Sequence, residues 1–278
     1  VASGRLAARA RGAGLAIAVL LAGWLLAPGP GLAEGAEREA DAFALEASLD
    51  TRLAYVITGD HEVDAVSQSG LIGLSEMLIR RTAIEPAGPM GIDLETDDLA
   101  FFALLYWPIT ADHLPLSDAA VKRVNGFMHN GGTILFDTKD QLEGGVSGGG
   151  AGMRRLRALS RDLDIPALMP VPPGHVLTKA FYLLNDFPGR FTGGLVWIQD
   201  QQSAHDHEVT PVIIGSHDWS GAWARDRSGR FSLPVIPGGE LQREMAFRFG
   251  VNLVMYALTG NYKADQVHVP SILERLGQ

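Results

Sequence analysis

Phe101-Phe102-Ala103-Leu104-Leu105-Tyr106-Trp107 is a continuous apolar run, and Thr133-Ile134-Leu135-Phe136 is a second. Between them Ser117-Asp118-Ala119-Ala120 opens a helix that Gly131-Gly132 closes. Ala120, Val121, Val124, Phe127 and Met128 give that helix one apolar stripe. Two apolar runs joined by a helix predict a parallel βαβ unit, because parallel strands need a crossover. Parallel strands are covered on both faces, so they lose the alternation of a half-exposed strand and become solidly apolar. The second run delivers Asp137 and Asp140 at its carboxyl end, the end where open α/β sheets bind ligands.

The pattern continues on both sides. Leu53–Thr58 reads as a first strand ending at Gly59-Asp60, and Ser69–Arg81 as a helix with Leu71, Ile72, Leu74 and Leu78 at helical spacing. Gly91–Leu94 is expected to be a short strand. Gln141–Gly152 is glycine-dense and reads as a loop, followed by a basic amphipathic helix over Met153–Leu163. Ile165–Gly174 is proline-rich and reads as irregular. Gly194–Ile198 and Pro211–Gly215 are two later strands, expected as antiparallel additions at an edge. Glu240–Leu258 is a last helix, apolar from Phe247 onward and so buried there, with Gly260 as its C-cap. Alternating strands and helices specify a doubly wound α/β sandwich.

The 278 residues are 46% hydrophobic and 20% charged, an ordinary globular balance. The formal net charge is −9; setting aside Arg5, Arg9 and Arg11 leaves 20 bases against 32 acids. Such a chain is a poor nucleic-acid binder, which needs clustered Lys and Arg. The absence of cysteine excludes disulfides, thiolate catalysis and cysteine-ligated metals.

Arg5, Arg9 and Arg11 precede the charge-free apolar stretch Ala13–Ala27 and the breaker Pro28–Ala33. This is the pattern of a secretory signal peptide or a membrane anchor, and it predicts residues 1–33 as a leader, 34–50 as a linker and 51–278 as one α/β domain. The positive-inside rule then places that domain outside the cytoplasm, in the periplasm or anchored in the inner membrane facing it. The first residue, Val, points to an alternative start codon or to a piece of a longer protein.

Acids at strand ends are the first candidates for chemistry. Asp60, Asp137, Asp140 and Asp218 each follow a strand. Gathered on one rim, they would hold a cation through oxygen ligands or serve as acid and base. Asp after a strand is also an ordinary turn or cap residue. Trp107, Trp197 and Trp219 stand near strand ends as pocket walls or as packing. Gly145-Val146-Ser147-Gly148-Gly149 fits the Gly-x-Ser-x-Gly pattern of serine hydrolases, but it lies beyond the strand rather than on the tight turn into a helix. Gly148–Gly152 leads into Arg154 and Arg155, where amides and guanidinium groups suit an anion, although no P-loop Lys follows. His205-Asp206-His207-Glu208 resembles a metal cluster set in loop-like surroundings, and His113 and His175 read as structural.

Asn185–Arg190, Pro211–Gly215 with Asp218-Trp219, and above all Arg243–Pro270 resemble the bacterial domain-of-unknown-function family 4159 over roughly Leu53 to Gln278. The resemblance implies a class I glutamine-amidotransferase-like, flavodoxin-like, mostly parallel sheet. It also implies a domain that often ends a longer membrane protein, behind an aerotolerance-regulator-type region and a von Willebrand-type domain. Amidotransferases of that fold use a cysteine nucleophile, so their activity does not carry over to this chain, and fold alone does not supply another. The expectation is therefore a non-catalytic envelope module without a cofactor. It binds a small ligand or a membrane-protein partner through Asp60, Trp107, Asp137, Asp140 and Asp218. The alternatives are a metal-assisted hydrolase using those acids and a structural assembly domain of a membrane complex.

Overall fold

The computed structural model describes residues 50–142, 149–200 and 209–276, and of 260–276 the helical backbone. The elements are β1 (Arg52–Val56), α1 (His61–Arg81), β2 (Ala87–Ile92), β3 (Leu104–Pro108), α2 (Asp118–His129), β4 (Thr133–Asp137), α3 (Ala151–Leu159), β5 (Leu168–Pro170), β6 (Trp197–Gln199), β7 (Val212–Gly215), α4 (Trp219–Trp223) and α5 (Glu240–Leu276). Short 3-10 turns occupy Leu99–Phe101 and Val176–Thr178.

One seven-stranded sheet runs in the order β2-β1-β3-β4-β7-β6-β5. The unit β3-α2-β4 is parallel, with Leu105 opposite Ile134 and Trp107 opposite Phe136. Every residue of β3, β4 and β7 is buried, as strands covered on both faces require. β7 differs from expectation. It pairs parallel with β4 inside the sheet, and the antiparallel edge is made by β6 and β5. Its apolar run Val-Ile-Ile is the signature of an inner parallel strand, whereas β6 and β5 are short and only partly buried. β5 forms inside the proline-rich stretch because an edge strand tolerates Pro170.

α1, α4 and α5 contact one another over one face of the sheet. Leu53, Tyr55, Leu104, Tyr106, Leu135 and Ile213 supply the strand side of that core, and Leu71, Leu74, Leu78, Trp219, Trp223 and Phe247 the helix side. Ile72 points outward instead, 44% exposed. α1 lies against the backbone of α4, because Gly70 and Gly73 leave no Cβ to strike the carbonyl oxygens of Ser220 and Trp223. The alternate strand residues, among them Trp107 and Phe136, face away from this core and stack on each other at 5.2 Å. α2 begins at Ser117, whose hydroxyl accepts from the Ala120 amide, and buries Ala120, Val124, Phe127 and Met128.

α5 does not stop at Gly260 but continues to Leu276. Its distinctive residues do structural work. Arg243 donates to the carbonyls of Ala222 and Leu233. Asn252, fully buried, accepts from the Phe181 and Tyr182 amides and donates to the Leu177 and Tyr182 carbonyls. Glu244 takes a two-pronged ion pair from Arg81 of α1. No helix among the described residues is long and apolar enough to cross a membrane.

Candidate functional site

β4 and β7 end side by side, Asp137 opposite Gly215, and the chain beyond them builds one connected polar cluster. Thr138 is tied across by its amide to the Gly215 carbonyl. Asp137 is 0% exposed, and its two oxygens accept four hydrogen bonds: Oδ1 from the amides of Lys139 (3.2 Å) and Asp218 (3.1 Å), Oδ2 from the Trp219 amide (2.8 Å) and the Tyr106 hydroxyl (2.9 Å). Because Tyr106 donates to Asp137, the Ser220 hydroxyl donates to Tyr106.

Asp218 opens α4 and accepts from the Gly221 amide. Its carboxylate also pairs with Lys139 Nζ and with Arg190 Nη1, each at 3.2 Å, while its side chain is only 3% exposed. Lys139 and Asp218 both adopt the left-handed backbone region, with φ of 57° and 52°, and no other non-glycine residue described does so. That conformation costs a side-chain-bearing residue of order 1–3 kcal/mol and gathers at functional sites. Here the two strained residues are ion-paired with each other.

The electrostatics follow from burial. Asp137 is pushed up from its ordinary 3.8 to about 6, first by burial and then by the neighbouring Asp218 charge; Lys139, the Trp219 amide and the Tyr106 hydroxyl pull the other way. Four donors around an acceptor-only group keep it ionised at neutral pH. Burial, then the charges of Asp137 and Asp218, lift the Tyr106 phenol well above its usual 10. His217, also 0% exposed, stacks on Trp219 at 4.8 Å. Its Nδ1 accepts from the Ser216 amide, so Nε2 carries the proton and donates to the Gly194 carbonyl, both at 3.3 Å. Burial lowers it to about 4, so it is neutral.

Next to this cluster a cavity of about 430 Å³ opens between the ends of β4 and β7, the start of α3 and β6. Asp140, Gln141, Met153, Leu195, Trp197 and Ser216 line it. Asp140 bridges its walls, accepting from the Thr138 hydroxyl (2.5 Å) and from the Met153 amide (2.8 Å) at the start of α3. The Ser216 hydroxyl donates to Gln141 Oε1, which fixes the Gln141 amide group to point its nitrogen at the Thr192 carbonyl. A Cβ on Gly194 would strike Gln141 Oε1 and come within 2.9 Å of His217 Nε2, so a side chain there displaces the Gln141 amide group.

Of the five residues expected at a site, Asp137, Asp140 and Asp218 come together, and only Asp140 lines the cavity. Trp107 is 0% exposed, its indole N–H donated to His113 Nε2 at 3.1 Å, so it is packing and not a pocket wall. Asp60 is exposed at the end of β1 and accepts from the Glu62 and Val63 amides as the N-cap of α1. It shares no partner with the other acids. Among the described residues no group of three or more His, Asp or Glu side chains is placed to hold a metal ion. Ser147 and His205–Glu208 lie outside the described residues. The sequence reading missed Lys139, Gln141, Arg190, Ser216 and His217. Only Lys139 had a signal: it stands between Asp137 and Asp140 directly after an apolar strand.

The family described as Domain of unknown function (DUF4159) matches residues 52–258, from the first residue of β1 into the buried half of α5. The chain belongs to this family. The match spans every strand of the sheet, the Asp137 cluster and the cavity beside it. No curated protein matches the chain.

Proposed function

We propose that this member of the family is a binding module of the cell envelope that takes a small polar ligand in the cavity beside β4 and β7. The observation that carries the reading is that cavity: about 430 Å³, within the usual range of ligand sites, at the carboxyl edge where open α/β sheets bind. Its lining suits a polar molecule with one apolar face. Asp140, Gln141 and Ser216 offer acceptors and donors, and Trp197, Leu195 and Met153 offer a wall. The strained Lys139–Asp218 pair anchors the loops behind it and so preorganises the floor.

At finer grain we place the fold among flavodoxin-like, class I glutamine-amidotransferase-like sheets. The five parallel strands β2-β1-β3-β4-β7 stand in the second-first-third-fourth-fifth order of doubly wound flavodoxin-like folds, which supports this. The basic, apolar N-terminal stretch supports the envelope address and a membrane-protein partner or upstream envelope domains.

A panel of sugars, amino acids and nucleotides tests the binding reading by thermal unfolding. A ligand of the native state raises the midpoint in a concentration-dependent way. Leu195→Trp fills the cavity from an exposed position, 60% accessible, and is expected to abolish the rise while leaving the unliganded midpoint within about 2 °C, a surface-sized effect. A panel that raises nothing, or a rise that survives Leu195→Trp, overturns it.

A further inference from the structure

Arg155, on α3, is the exception among the arginines that pack into this domain. Its side chain is partly exposed, yet Nε and Nη2 are each shielded from solvent and neither has a hydrogen-bond partner. These two nitrogens form one edge of the guanidinium fork, the edge that grips a carboxylate or phosphate side-on. Buried polar groups are otherwise almost always paired, so an orphan pair on one fork edge requires an explanation. Arg243, by contrast, spends both terminal nitrogens on carbonyls. Arg225 also has an orphan Nε, but its guanidinium is stacked on Phe231 at 4.2 Å and donates to the Gly229 carbonyl.

The place of Arg155 in the fold is equally specific. α3 starts directly on the ends of β3 and β4, since a Cβ on Gly152 would strike the Thr138 carbonyl and come within 3.1 Å of the Ile109 carbonyl. The chain beyond β3 leads to His113, close enough to Arg155 that the guanidinium charge, after burial, lowers the imidazole pKa. β3 adjoins β1, and β1 lies between β2 and β3, so the winding of the sheet reverses at the β1/β3 boundary. Crevices at such reversals are where doubly wound sheets hold ligands. His113 Nε2 accepts from Trp107, which leaves the ring proton on Nδ1 as a further donor without a protein acceptor. The acid whose charge acts on His113 is Asp64, and its carboxylate is already taken by the Thr58 amide and hydroxyl and by the Gly59 amide. The surroundings are basic: Arg154, Arg155 and Arg157 on α3 and Arg161 just beyond it fall within eight residues of a chain of net charge −9.

We infer that Arg155 anchors an oxyanion site beyond the carboxyl end of β3, receiving a phosphate or carboxylate group side-on across Nε and Nη2, with His113 Nδ1 as a second donor. The site is separate from the cavity beside β7, to which α3 contributes Met153 and the turn before it Gly149 and Gly150. With no hydrogen bond to break, the guanidinium turns toward an incoming anion at the cost of side-chain packing alone. Phosphate and carboxylate both satisfy this chemistry, and the two arms of the test separate them.

The experiment is a titration of the full chain with inorganic phosphate, and separately with acetate, at constant ionic strength, observed through the arginine Nε–H signals in proton–nitrogen spectra. One Nε signal is expected to shift and saturate with one of the two anions. It is expected to be missing from Arg155→Lys and kept in Arg154→Lys and Arg157→Lys, whose side chains are exposed. Affinity for the effective anion, followed by thermal midpoint, is expected to fall about tenfold or more in Arg155→Lys, which loses the two-pronged grip. Absence of a saturable Nε shift with either anion overturns the inference, as does a shift that persists in Arg155→Lys. If Arg155→Lys does not fold, the two exposed variants still decide: loss of the shifting signal in either one assigns it elsewhere and overturns the inference. None of these outcomes touches the cavity residues, so the two proposals fail independently.

Discussion

Asp60 and Asp137 both follow a parallel strand on the same edge of the sheet, yet they do opposite things. At the end of β1 every carboxylate bond is local. Asp60 accepts from amides two and three residues on, and Asp64 reaches back no further than Thr58. At the end of β4 the partners are remote: Tyr106 lies 31 residues away, and the Asp218 and Trp219 amides lie 81 and 82 residues away. The first end starts a helix. The second locks three strand ends together around a fully buried charge. Position at a strand end therefore decides access to the sheet's binding edge, while the range of the partners decides whether the residue is a cap or a keystone.

The sharpest way to break that contrast is to remove each carboxylate. Asp137→Ala strands the buried Asp218 and Trp219 amides, the half-buried Lys139 amide and the Tyr106 hydroxyl, and it leaves Lys139 and Arg190 facing Asp218 alone. Loss of one member of a buried charge cluster costs about 3–5 kcal/mol. Urea unfolding is expected to show a loss of that size. A loss under about 1 kcal/mol would mean that the cluster is not closed in solution and that the two strand ends differ only in appearance.

The second test uses pH. Asp137 has a folded pKa raised from 3.8 to about 6, so its contribution to stability is full below about 4 and is lost as pH rises through 6. His217 is the reverse: lowered from 6.5 to about 4, it contributes above 6.5 and loses that contribution as pH falls toward 4. Each shift corresponds to on the order of 3 kcal/mol across the window. The two slopes oppose each other between pH 4 and 6.5, so the wild-type protein is expected to be nearly flat there with respect to this pair. Single substitutions unmask the slopes. Asp137→Asn loses stability steeply on acidification from pH 6.5 to 4, and His217→Gln gains it. Parallel pH profiles for wild type and both variants would show that neither group is buried in the state assumed here.

The same division explains what was legible in the sequence. The βαβ unit, the Ser117 cap, a first strand starting near Leu53 and the apolar half of α5 rest on patterns within one element, and those readings agree with the fold. Sheet order is not a local property. The apolar run of β7 marks a buried strand but does not name β4 as its neighbour, and β5 is hidden by its prolines. For the site, the convergence of Asp137, Asp140 and Asp218 was readable because each ends or follows a solidly apolar run. Arg190 and His217 were not, because a salt bridge across 28 residues and a ring proton set by the Ser216 amide leave no pattern in composition or spacing. Trp107 was misplaced for a related reason. An aromatic at a strand's end is a wall or a core residue depending on what covers it, and His113 and Phe136 cover it.

The smallest effect sharpens the contrast from the other side. Asp60→Ala removes an N-cap that satisfies the Glu62 and Val63 amides, a loss of about 1 kcal/mol or less in comparable caps. Asp60→Ser, which can still accept from the same amides, is expected to restore most of it. Stability by urea unfolding separates the three proteins, and the cavity ligand panel is expected to treat them alike, because Asp60 shares no bond with Asp140, Gln141 or Ser216. If Asp60→Ala instead erased ligand binding while Asp60→Ser restored stability but not binding, the carboxylate charge at the end of β1 would matter for more than the helix start. The two ends of the sheet would then belong to one site, and the division between a local cap and a long-range keystone would fall.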